Sequence, residues 1–139
     1  MQQRDIIKDE IERLGRVLGK LITLVTGSPG GDMNLEARLK EVQDRLRNDL
    51  GLEPDDLLQL SREDLISKLD DLQLQPNHLY QLGDFLVTWA YEEKRVATKI
   101  VLYQRALLLY DLAGERSGVY SMQRAEHEQL IKKELARIS

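Results

Sequence analysis

Apolar residues return at alternating steps of three and four along most of this 139-residue chain, and that period decides what it can become. The first run is Ile7, Ile11, Leu14, Leu18, Leu21 and Val25. Such steps put successive side chains on one side of a helix, whereas a half-buried strand would need a step of two. A second run, Leu35, Leu39, Val42, Leu46 and Leu50, repeats the pattern after the breaker "TGSPGG". Asp32 or Asn34 can cap this second rod, and Gly51 can stop it. Two stripes of similar length with a short joint predict an antiparallel helical hairpin over residues 4–50. Gly15 and Gly19 lie one turn apart beside the first stripe. Glycine costs about 1 kcal/mol in a helix interior, so close packing of a neighbouring helix is the reason the sequence suggests for them.

Residues 53–74 predict shorter helices. "SREDLISKLDDL" begins with Ser61 as a candidate N-cap and Asp64 three residues on, a variant of the capping box. Pro76 then opens a long segment. Leu79, Leu82, Leu86, Trp89, Val96, Ile100, Tyr103, Leu107 and Tyr110 keep the helical period, with Glu93 the one polar intruder. A single helix from Leu79 to Ala113 would run about 50 Å, longer than the roughly 35–40 Å of a compact domain this size. Two helices with a turn near Glu92–Arg95 are therefore expected, the second, around 96–112, being central and most buried. "AGERSG" closes it, and Ser121 can cap a last helix whose apolar residues are Ala125, Leu130, Leu135 and Ile138. That helix should lie across the outside. The expected fold is all-α: one domain of five to six helices, built as an N-terminal hairpin (4–50), short helices (53–74) and C-terminal helices (76–138).

Composition narrows function. Net charge is −4, and residues 32–75 carry twelve acids against six bases. A nucleic-acid-binding surface needs clustered Lys and Arg, so no nucleic acid is expected as partner. The apolar stretch 17–25 is interrupted by Lys20 and is too short to span a bilayer, so no membrane is expected either. The N-terminus mixes acids with bases, unlike a signal peptide, and there is no cysteine. A cytoplasmic protein is expected.

No local motif carries a recognisable chemistry. The glycine loop "TGSPGGD" superficially resembles a phosphate-binding loop, but it follows a helical stripe and has Asp32 where Lys is required. His78 and His127 lie far apart, neither with a partner at the spacing of a helical metal pair, and both read as surface residues. Asp55–Asp56 and Asp70–Asp71 are adjacent pairs that diverge by about 100° on a helix. No serine sits in a nucleophile-elbow setting. No catalytic residue, cofactor or metal site is expected. Phe85, Tyr80, Trp89, Tyr91, Tyr103 and Tyr110 cluster in residues 80–110, and they serve either as core or as a groove for a partner.

Two stretches carry resemblances. "RDIIKDEIERLGRVLGKLI" and "YQRALLLYDLAGERSGVYSMQRAEHEQLIKKEL" resemble a family of small uncharacterised bacterial all-helical proteins. "LYQLGDFL" followed by "YQRALLLY" is similar to a tetratricopeptide-type helix pair near residues 78–113. That resemblance implies Leu82–Gly83 as the small-residue position of the first helix, and Tyr103, Ala106 and Leu107 as the packing positions of the second. No second copy appears at the expected period.

The expectation is a non-enzymatic helical interaction or structural module, binding a protein partner or associating with itself, with a homodimer through the N-terminal hairpin as one form. The alternative is a small-ligand binder or enzyme with a pocket at Tyr80, Trp89, Tyr103 or Tyr110, in which Arg105 would orient an anion.

Overall fold

The computed structural model describes Arg16 and residues 35–139. Its helices in chain order are α1 (Leu35–Leu50), α2 (Pro54–Gln59), α3 (Arg62–Asp71), α4 (Pro76–Glu92), α5 (Val96–Ser117) and α6 (Met122–Ile138). The described residues contain no strand, and the helices pack as an all-α bundle. The stripe Ile7–Val25, the glycines Gly15 and Gly19, the loop "TGSPGG" and the caps Asp32 and Asn34 lie outside the described residues.

Helix ends follow the local chemistry. Gly51 adopts φ +66° and donates its N–H to the Arg47 carbonyl at 3.1 Å, closing α1 with a left-handed residue. Arg47 then reaches Glu53 at 2.8 Å, joining the end of α1 to the start of α2. Ser61 Oγ accepts from the Asp64 N–H at 3.1 Å, and Ser121 Oγ accepts from the Arg124 N–H at 3.2 Å, so both serines cap as their positions suggest. Gly118, at φ +65°, ends α5 by donating to the Gly114 carbonyl. This lets α5 run through Gly114 to Ser117, five residues past the expected end: one glycine within a helix weakens it, but the stop comes where the backbone turns left-handed.

The centre of the fold is the α4–α5 hairpin. At 17 and 22 residues the two helices are about 25 and 33 Å long, which a domain this size can hold. Leu79, Leu82, Leu86 and Ala90 of α4 face Leu102, Ala106, Leu109 and Ala113 of α5 across the core, all at 0–1% exposure. Leu46, Leu57, Leu65 and Leu69 close the core from α1, α2 and α3. The stripe anticipated through Val96 and Leu107 is interrupted: Val96 is exposed and Leu107 only partly covered. Once the chain turns at residues 93–95, α5 restarts its own phase, and Leu102 and Leu109 take the inward positions instead.

Three side chains fasten the outer helices to this hairpin. Lys68 pairs with Asp56 between α3 and α2, Arg116 of α5 pairs with Asp70 of α3, and Arg105 donates to the Leu60 carbonyl after α2. The ion pairs are half-exposed, so each contributes little, up to about 1 kcal/mol. On α6 the inward residue is Ile131 rather than Leu130, with Leu135 and Ile138 beside it. One residue is 100° of helix, and that step swings Leu130 into solvent.

Candidate functional site

The most connected polar cluster stands where α4, α5 and α6 meet, and it starts from a glycine. Gly83 has no side chain to hold α5 away, and the Tyr110 ring fills the space: a Cβ at residue 83 would lie 2.7 Å from that ring. Packed there, Tyr110 is 2% exposed, and its hydroxyl donates to Asp84 Oδ1 at 2.5 Å. Burial, then the Asp84 hydrogen bond and charge, push the phenol far above its ordinary pKa, so it stays a donor. With its proton given to Asp84, the phenolic oxygen accepts from His127 Nε2–H at 3.3 Å, and the imidazole meets the ring edge-on at 5.7 Å.

Arg124 completes the cluster. Its guanidinium stacks over the Tyr80 ring at 4.0 Å and reaches Asp84 Oδ1 at 3.4 Å. Tyr80 and Asp84 are one turn apart on α4, as Arg124 and His127 are on α6, so each helix presents two groups on one side. The arrangement joins α6 to the hairpin with one carboxylate, two tyrosines, one cation and one imidazole. Beside it runs a shallow cleft of about 200 Å³ lined by Tyr80, Tyr110, Asp111, Tyr120, Arg124 and Glu128. Burial, followed by the charge of Asp111, raises the Glu128 carboxyl above its usual value.

Of the residues marked from sequence, Tyr80 and Tyr110 come together here. Trp89 does not join them. It is buried against Phe85 and donates Nε1–H to Glu93 at 3.2 Å. Tyr103 is buried further along α5, its hydroxyl raised first by burial and then by the charge of Glu134. Arg105 faces α2, where it borders a second cleft of about 370 Å³ with Arg62 and Gln104 while holding the Leu60 carbonyl. Among the described residues no three His, Asp or Glu side chains are grouped to hold a metal ion.

His78 departs from its expected place on the surface. It is 3% exposed, and its Nδ1 accepts the Gln75 N–H at 3.1 Å, closing the first turn of α4 after Pro76. Burial lowers its pKa, which keeps Nδ1 an acceptor. No motif in the sequence marks Asp84 or Arg124, and His127 reads there as a surface residue, because each acts through a partner on another helix. The only local signal was the one-turn spacing of Tyr80 with Asp84.

A different surface lies on the far side of α6. The large apolar side chains that stand exposed among the described residues are Tyr91, Val96, Val119, Tyr120, Met122 and Leu130. Tyr120, Met122 and Leu130 line a groove of about 430 Å³ with Ala125, Glu126, Gln129 and Lys133. Tyr91 and Val96 belong to the opposite end of the bundle, where Glu134 and Arg137 approach Tyr103. No described helix is long and apolar enough to cross a membrane. No family model, curated protein or solved structure matches the chain.

Proposed function

We propose that the chain is a non-enzymatic helical interaction module of the cytoplasm, docking a protein partner along the outward side of α6. One observation carries this: the exposed apolar side chains Tyr120, Met122 and Leu130 line one groove on that helix, while its inward side is already committed to the α4–α5 hairpin through Ile131, Leu135 and the Asp84 cluster. Apolar groups collected on one helical face are what a partner helix covers. The tight α4–α5 crossing at Gly83, of the kind tetratricopeptide pairs use, serves as the rigid support. The lack of cysteine fits a reducing compartment.

The test places a photoreactive benzoylphenylalanine at position 122 of the full chain in the cells that make it, with position 55 as the control. The expected result is crosslinking to protein from position 122 that Leu130→Glu abolishes. Equal crosslinking from both positions, or none from either, overturns the reading.

A further inference from the structure

The outward face of α6 carries its charges in an order that identifies a partner. Met122, Glu126, Gln129 and Lys133 follow one another at steps of four, three and four, so they share a face, and Leu130 borders it. The acid stands in the first half of the helix and the base in the second. Glu126 and Lys133 are both exposed, and neither has an ion-pair partner among the described residues. Laid parallel on itself, this face would oppose Glu126 to Glu126 and Lys133 to Lys133. Laid antiparallel about an axis near Gln129 and Leu130, it opposes Glu126 to Lys133 twice and brings the two copies of Leu130 together.

We infer that the partner of this face is a second copy of the chain, paired antiparallel through α6 about a two-fold axis near Gln129. The inference rests on reading α6 as a docking face and adds what docks there. An interface centred on one helix per copy falls at the small end of specific contacts, where weak, readily reversible association is the rule.

The experiment is sedimentation velocity of the full chain from about 1 to 300 µM, a span that covers weak self-association. The wild-type chain should shift from monomer to dimer, and Leu130→Glu should stay monomeric with an unchanged circular dichroism melt. Glu126→Lys and Lys133→Glu should each weaken the dimer about tenfold, because the two-fold repeats every repulsion. An equimolar mixture of the two reversed chains should restore association, since each Lys then opposes a Glu. A wild-type chain that remains monomeric, or a dimer indifferent to Leu130→Glu, overturns the inference. So does a mixture that fails to rescue. Crosslinking from position 122 decides separately whether α6 docks any protein, so heterologous crosslinks with a monomeric chain would defeat the second copy and leave the docking face standing.

Discussion

At the scale of the residue, two glycines in helices have opposite environments. Gly83 lies under the Tyr110 ring, which Asp84 and His127 hold by its hydroxyl, so the ring cannot swing aside for a methyl group. Alanine there gains about 1 kcal/mol of helix propensity but overpacks a close crossing at a cost of about 1–3 kcal/mol. Gly114 has ordinary space: a Cβ would find its nearest neighbour, the Tyr80 hydroxyl, at 3.8 Å. Urea titrations should therefore show Gly83→Ala destabilised by about 1 kcal/mol, and Gly114→Ala stabilised by about 0.5–1 kcal/mol. Equal midpoints for the two variants would mean that Tyr110 does not rest on Gly83 in solution.

Elements are joined by one unexpected residue, Glu93. In the sequence it interrupts an apolar stripe; in the fold it makes the turn between α4 and α5. Its carboxylate accepts from Trp89 Nε1–H behind it and from the Arg95 backbone N–H and side chain ahead of it, at 3.0–3.2 Å. Burial pushes its pKa up, but the hydrogen bonds from Arg95, the Arg95 charge and the Trp89 bond outweigh it and leave the carboxyl below 4.5. A carboxyl lowered on folding stabilises above its unfolded pKa, and that contribution vanishes as pH falls through the folded value. Glu93→Ala should cost about 1–2 kcal/mol at pH 7. Chemical denaturation from pH 7 down to about pH 3 should show this difference from wild type shrinking only below pH 4.5. A difference that persists unchanged in acid would show that the charged form does not make the turn.

For the molecule as a whole, burial is unevenly divided. α5 buries eight residues, among them Leu102, Leu109 and Ala113, whereas Ile131 is the buried residue of α6. The Asp84–Tyr110–His127–Arg124 cluster supplements that sparse apolar seam with polar contacts open to water on one side. Helices held this way open before the core does. Native-state hydrogen exchange should therefore find α6 amides opening at lower free energy than those of α5, and Asp84→Asn should widen the gap by about 1 kcal/mol. Equal protection along both helices would make α6 part of the central unit.

The sequence alone determined that the chain is helical and where Ser61, Ser121 and Gly51 mark helix ends, and it favoured a turn near 92–95 over one unbroken helix for residues 79–113. Those features depend on neighbours within a turn or on the length of a rod against the width of a domain, and both can be read along one dimension. Tertiary structure decided the rest. Whether Leu130 or Ile131 faces inward depends on how α6 is rotated against α5, since both fit a helical period. His78 is buried because the hairpin closes over the first turn of α4, and Asp84 meets Arg124 and His127 across forty residues of chain. Periodicity reports that a face exists; only the packing of one helix on another selects which face is covered and which polar groups meet at its edge.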